Sequence, residues 1–145
     1  NPDPALKFGK FKTEVHNAVR KFNNIDRKDG LRDLCEAFEN AIEEVGTKLC
    51  KKSMFRTMDE TGFKQKRLEG RINALAANEA YVSNHAIVDE SLKIDLHSFR
   101  NARNLLDHKV RNKSENLKRL RLCADKMVQG ARLIDDLERI KRTLK

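Results

Sequence analysis

Hydrophobic residues recur at intervals of three and four along almost the whole chain, which is the spacing of one face of an α-helix. The first run consists of Phe8, Phe11, Val15, Val19 and Phe22. Asp3 followed by Pro4 is a typical helix start, because the carboxylate caps a free amide and proline has no amide to leave unpaired. We therefore predict a first helix over residues 4–23.

The second run continues the same rhythm and predicts a helix over residues 29–57. Its apolar positions are Leu31, Leu34, Cys35, Phe38, Ile42, Val45 and Leu49. Acidic residues crowd the first turns and Lys48, Lys51 and Lys52 stand near the end, which suits the helix dipole.

The longest run predicts a third helix over residues 62–111, which follows a break around Asp59 and begins at Gly62. Ser83 and Asn84 compete for backbone hydrogen bonds, so we expect a kink between Val82 and Ala86. A final helix over residues 114–144 is predicted to be capped by Ser114. Its apolar positions are Leu117, Leu120, Ala124, Met127, Ala131 and Ile134, and then Leu133, Leu137, Ile140 and Leu144.

These elements predict an all-α fold. We expect a single helical domain over residues 1–145, built as an elongated, coiled-coil-like antiparallel bundle of three to four long helices, of which the third is long and kinked. The apolar seam of the third helix is longer than either early helix can cover. This length favours a helical protein partner, such as a second copy in a homodimer.

Charge is distributed unevenly along the 145 residues. The formal net charge is +9, and residues 101–145 hold 13 basic and six acidic side chains. We call the densest group the basic cluster: Lys109, Arg111, Lys113, Lys118, Arg119 and Arg121. An acidic strip lies on the second predicted helix: Asp33, Glu36, Glu39, Glu43 and Glu44.

The residues that usually carry catalysis or bind metals do not form a recognisable pattern. None of the four histidines has a second histidine or a cysteine one helical turn away, and no glycine-rich loop follows a strand. Three cysteines are an odd number, which favours reduced thiols. We predict a protein that is not an enzyme, with no catalytic residues, metal, cofactor or small-molecule substrate.

Two aromatic residues flank the break in the middle of the chain. Phe55 and Phe63 stand near Met54 and Met58. They either pack over the end of the bundle or form an exposed knob that contacts a partner, and methionine-rich surfaces adapt well to partner helices.

The basic cluster has two interpretations. Its side chains either pair with the acidic strip inside the bundle or bind an anionic partner. Our leading hypothesis is a non-enzymatic interaction module that self-associates through its apolar seams and docks a macromolecular partner.

The first alternative is peripheral binding of residues 109–121 to an anionic phospholipid surface, where each cation contributes on the order of 1 kcal/mol. Nucleic-acid binding is less favoured, because no aromatic residue follows Phe99 to stack on bases. We expect a cytoplasmic protein with no membrane span, located in the alternative case at a membrane surface. In outline the chain resembles BAR-type, spectrin-like and syntaxin-like helical assemblies, a likeness of architecture that transfers no site residues.

Overall fold

The computed structural model describes residues 6–52, 55, 58–76, 81–82, 85–106 and 112–144. Within these ranges six α-helices pack against one another, accompanied by two 3-10 helices and one antiparallel pair of two-residue strands. The helices are α1 (Lys12–Asn24), α2 (Arg27–Lys51), α3 (Glu60–Gln65), α4 (Leu68–Ala76), α5 (Glu90–Arg100) and α6 (Lys113–Thr143). The strands are β1 (Tyr81–Val82) and β2 (His85–Ala86), and the 3-10 helices are Gly9–Phe11 and Asn101–Leu105. No described helix is both long enough and apolar enough to cross a membrane.

Four of these helices begin at a side chain that accepts a hydrogen bond from a backbone amide three residues later. The caps are Asp26, Asp59, Asp89 and Asn112, with oxygen to nitrogen distances of 3.0, 2.8, 2.8 and 2.9 Å. The prediction of Ser114 as the cap of the last helix is therefore wrong by two residues, because Asn112 accepts from the amide of Glu115.

The first helix begins later than predicted. Asp3 and Pro4 lie outside the described residues, and α1 begins only at Lys12. Phe8 has a φ angle of 58° and Gly9 one of 52°, a left-handed backbone that an α-helix excludes. The second helix ends at Lys51, before the predicted residue 57.

The predicted apolar faces of the first two helices form the core. All seven apolar positions named for the second helix are buried, as are Phe8, Phe11, Val15 and Phe22. Gly46 of α2 lies so close to α3 that an added Cβ would sit 2.0 Å from the ring of Phe63. These contacts confirm an all-helical core organised around α2.

The predicted third helix is not continuous. Residues 62–111 contain most of α3, then α4, the strand pair and α5. Residues 107–111 lie outside the described residues. The backbone of Lys66 is extended and ends α3, whereas Asp89 starts a new helix. The apolar residues Ile72, Leu75, Leu96 and Phe99 of this segment are nevertheless buried within this one chain. The argument for a second copy from an uncovered third helix is therefore removed.

The prediction of an antiparallel bundle is only partly correct. The end of α1 contacts the start of α2, where Lys21 pairs with Asp33 at 2.6 Å, so these two helices are antiparallel. In contrast, α2 and α6 run parallel, since an added Cβ at Gly130 would touch Leu34, and Lys141 pairs with Glu44 at 3.2 Å. The chain between α2 and α6 is long enough to return to the starting end of α2.

The carboxyl-terminal half of α6 holds the beginning of the described chain. Asp135 is buried and accepts hydrogen bonds from the amides of Lys7 and Phe8. Glu138 is also buried and pairs with Lys141 at 2.8 Å. These carboxylates position the amino-terminal segment against α6.

Candidate docking surface on the last helix

The amino-terminal half of α6 extends beyond the start of α2. Because Leu34 lies against Gly130, and Arg27 lines the same groove as Leu120 and Ala124, the first residue of α2 is level with residue 123. Residues 113–122 of α6 therefore project about 15 Å beyond the first residue of α2, at 1.5 Å per residue. We call this segment the overhang.

Large apolar side chains remain exposed on and beside the overhang. Leu117 is 57% exposed and Leu122 is 49% exposed, and Val128 in the following turns is 69% exposed. Ile25, in the turn between α1 and α2, is 75% exposed. Exposed apolar residues gathered at one end of a molecule are typical of an interaction surface.

A groove lies between the overhang and the end of the α1–α2 hairpin. It has a volume of about 290 Å³, and its apolar floor is formed by Phe22, Leu117, Leu120 and Ala124. Arg27 and Arg121 also line it. We call it the arginine groove.

The other flank of α6 carries two further depressions. One of about 380 Å³ is lined by Leu105, Lys118 and Leu122, among others. The second, of about 400 Å³, is lined by Leu122 and Val128 together with polar residues. Apolar surface is thus present on both sides of the helix.

The structure places four members of the basic cluster on the overhang. Lys113, Lys118 and Arg121 are exposed, whereas Arg119 is half-buried and donates a hydrogen bond to Asn116 at 3.0 Å. The remaining two, Lys109 and Arg111, lie outside the described residues.

The acidic strip forms ion pairs with cations elsewhere in the chain. Glu39 pairs with Arg103 at 3.3 Å, and Glu44 pairs with both Lys10 and Lys141. Asp33 pairs with Lys21. Within the described ranges, these observed pairs do not support the interpretation in which the basic cluster neutralises the acidic strip.

Burial perturbs the ionisation of the cysteine nearest the overhang. Burial raises the pKa of the Cys123 thiol, although the positive charges of Arg119, Lys28 and Arg27 oppose this effect. All three cysteines are free thiols. Arg27 of α2 and Arg121 of α6 line one groove at this end of the molecule, so cations of the two helices lie close together there.

The interpretation of Phe55 and Phe63 as an exposed knob is corrected by their burial. The two rings stack with centroids 5.9 Å apart, and Phe63 packs against Gly46. Both side chains are buried, so the packed alternative describes them.

Lys126 and Ser98 have the spacing of a base and a nucleophile, with Nζ 2.8 Å from Oγ. Burial lowers the pKa of Lys126. However, its Nζ also donates to the backbone oxygen of Ser98 at 2.9 Å and to Gln129 at 2.9 Å. Because an ammonium group has three donors and all three are used, this arrangement supports a structural role for Lys126 in holding α5 against α6.

Among the described residues no group of three potential ligands could hold a metal ion.

Sequence reasoning did not identify Phe22, Arg27 or Ile25 as part of a surface. Phe22 was assigned to the core, and Arg27 precedes the predicted second helix. A signal was available at Ile25, an apolar residue between Asn24 and Asp26 in a predicted break, where burial is not expected.

Comparison of the chain with protein-family models, curated proteins and solved structures finds no match.

Proposed function

We propose that this protein is a helical interaction module that docks an anionic macromolecular partner through the overhang of α6. The helices described above supply a rigid support, and the overhang supplies the contact surface. No reaction step is part of this proposal.

One observation carries the proposal: apolar and basic side chains are exposed together where α6 extends past α2. Leu117 is more than half exposed, and Lys113, Lys118 and Arg121 surround it along the same helix. Residues 113–132 contain six basic and two acidic side chains, so the surface attracts negative charge. Apolar anchors supply affinity, whereas charges at the rim favour association with oppositely charged partners.

The experiment compares the wild-type protein with the double variant Leu117→Gln/Arg121→Glu by affinity enrichment and quantitative mass spectrometry, using cells that express the protein. A matched control is Ile94→Gln/Lys12→Glu, which makes the same types of change at exposed positions of α5 and α1. Both substituted sites in each variant are exposed, so circular dichroism should show unchanged folding.

The proposal predicts that a partner enriched by the wild type and by the control is lost from the double variant. Equal enrichment by all three proteins would contradict it, and so would the absence of any reproducibly enriched macromolecule.

A second candidate is peripheral binding to an anionic membrane. The observation that favours it is Ile25, which is exposed at the tip of the α1–α2 turn close to Arg27 and Lys28. Ile25→Gln should then reduce co-sedimentation with vesicles that contain phosphatidylserine, and leave protein partners of the overhang unaffected. An unchanged sedimented fraction would reject this candidate.

Self-association remains a proposal with narrower support. In the third segment Leu75, Leu96 and Phe99 are buried within the chain, whereas Leu68 and Leu92 are half-buried. At the overhang, like charges oppose the approach of a second copy. Light scattering at micromolar concentration distinguishes the two states: a dimer would support self-association, and a monomer would reject it.

A further inference from the structure

We infer that the arginine groove binds an acidic amphipathic helix of a partner protein. This inference rests on the proposed function, since it names the kind of partner and the part of the surface that receives it.

The floor of the arginine groove has the geometry of a helix-binding face. Leu117, Leu120, Arg121 and Ala124 occupy positions i, i+3, i+4 and i+7, so they share one side of α6. Phe22 of α1 closes the floor opposite them. The span from the first to the last of these positions is about 10 Å, which equals two turns of a docked helix.

The arginine groove can receive apolar side chains that project from a partner helix. Leu120 is half-buried and Ala124 is exposed, so the groove is not filled by the described residues. A partner helix presents side chains at i, i+3 or i+4 and i+7 on one face, and this ridge fits a groove two turns long. The lining therefore matches the apolar face of an amphipathic helix.

The two arginines that line the groove specify the charge of that helix. Arg27 at the start of α2 and Arg121 on α6 are both exposed, and within the part of the chain that the structure describes neither forms an ion pair. Guanidinium groups bind carboxylates through two parallel hydrogen bonds. Glutamate or aspartate residues beside the apolar ridge would meet these arginines, which gives the charge complementarity of the proposed contact.

A membrane, a nucleic acid and a second copy of the chain fit the arginine groove less well. A bilayer is flat and engages protruding side chains, whereas the floor of the groove is concave and apolar. Nucleic-acid phosphates gain nothing from leucine and alanine, and the groove lining contains a single aromatic ring, the nine-tenths buried Phe22. A second copy of α6 would bring positive charge toward Arg121.

The test uses a designed probe: a fluorescein-labelled peptide of about 15 residues, or four helical turns. Leucines stand on one face at i, i+3, i+7 and i+10, and glutamates flank them. The control peptide carries glutamine in place of each glutamate. Fluorescence anisotropy measures binding to the full chain, and vesicles containing phosphatidylserine and a single-stranded DNA oligonucleotide are tested in parallel.

The inference predicts that Leu117→Gln, Arg121→Glu and Arg27→Glu each weaken binding of the acidic peptide about tenfold or more. Lys12→Glu is the matched control, because it makes the same kind of charge reversal at an exposed position of α1 that lies outside the overhang. It should change the dissociation constant less than about threefold at salt concentrations near 0.15 M, where exposed charges are screened. The glutamine peptide should bind more weakly than the glutamate peptide.

Three outcomes would overturn the inference: no saturable binding of the acidic peptide, equal loss from Lys12→Glu and Arg121→Glu, or tighter binding to vesicles or DNA than to the peptide. If enrichment from cells still depends on Leu117 and Arg121 while the peptide fails, the proposed function stands and the acidic-helix inference is rejected. If both fail, the overhang is not a docking surface.

Discussion

Asp135→Asn tests how the carboxyl-terminal half of α6 holds the beginning of the described chain. Asp135 is 1% exposed. Its Oδ1 accepts hydrogen bonds from the amides of Lys7 at 3.0 Å and Phe8 at 3.1 Å, and its Oδ2 lies 2.6 Å from Nη2 of Arg139. Asparagine keeps one acceptor oxygen, but it removes the charge and turns a donor toward the guanidinium group.

The expected loss of stability follows from these contacts. Hydrogen bonds to charged groups contribute about 1.5–3 kcal/mol and neutral ones about 1 kcal/mol, so removing the charge weakens each of the two amide bonds. The side chain of Arg139 is 59% exposed and can turn to water, so its ion pair adds little. We expect Asp135→Asn to lower the free energy of unfolding by about 2 kcal/mol.

The penalty should depend on pH. Burial alone would raise the pKa of Asp135, but the amides of Phe8 and Lys7 and the guanidinium group of Arg139 outweigh burial and lower the pKa below 3.8. The unfolded chain therefore binds the proton more readily than the folded chain, and this stabilisation is complete above the unfolded pKa. It is lost as pH falls through the folded pKa, so the wild type and the variant should converge in acid.

Urea denaturation followed by circular dichroism measures this difference. With a denaturant slope of about 2 kcal/mol per molar, the transition midpoint should fall by about 1 M at neutral pH. The matched control is Asp136→Asn. Burial raises the pKa of Asp136, so neutralising this residue should not destabilise the fold. A midpoint shift below about 0.2 M for Asp135→Asn, or equal shifts for both variants, would refute the reasoning.

Two further predictions concern the packed interior. Gly130→Ala should lower the free energy of unfolding by about 1–3 kcal/mol, because the new Cβ would lie 2.4 Å from the fully buried ring of Phe99. Gly70→Ala meets only ordinary contacts and should stabilise α4 by up to about 1 kcal/mol, so the opposite order in urea denaturation would contradict the packing described. Burial raises the pKa of Cys35 to about 11. In the native protein, iodoacetamide should therefore label Cys35 more slowly than the half-buried Cys50, and labelling of Cys35 should require unfolding. Native labelling of both at equal rates, measured by peptide mass spectrometry, would be incompatible with this burial.

The sequence was sufficient to predict the interior of α2, because 25 residues keep one periodicity and neighbours cover one face along its length. It was insufficient for the third segment. Asp89 starts a helix and Lys66 ends one. Both boundaries are set locally, and the spacing of apolar residues continues across them without a change that would reveal them. Apolar spacing therefore identified core residues better than it identified helix boundaries.

Relative helix direction and burial of charge could not be read from the sequence. Whether α6 runs parallel or antiparallel to α2 depends on the path of the long connection between them. The hydrogen-bond donors to Asp135 are backbone amides that lie 127 and 128 positions earlier in the chain. The spacing of residues in the sequence carries no information about contacts at such a separation. The basic cluster was visible as a run of charge, but the arginine groove also needs Phe22 and Arg27, which only folding brings beside it.

The two halves of α6 share one periodic pattern but have different surroundings. Leu117, Leu120 and Ala124 were predicted to lie in the same buried seam as Ile134, because the spacing continues through all four. The pattern specifies which face of a helix can be buried, whereas the length of the neighbouring helix determines how far that face is covered. Since α2 begins level with residue 123, the seam loses α2 as a neighbour there, and Leu117 is exposed while Leu120 is half-buried. Under the proposed function, substitutions before this level should change binding with little effect on stability, and core substitutions after it should have the reverse effect.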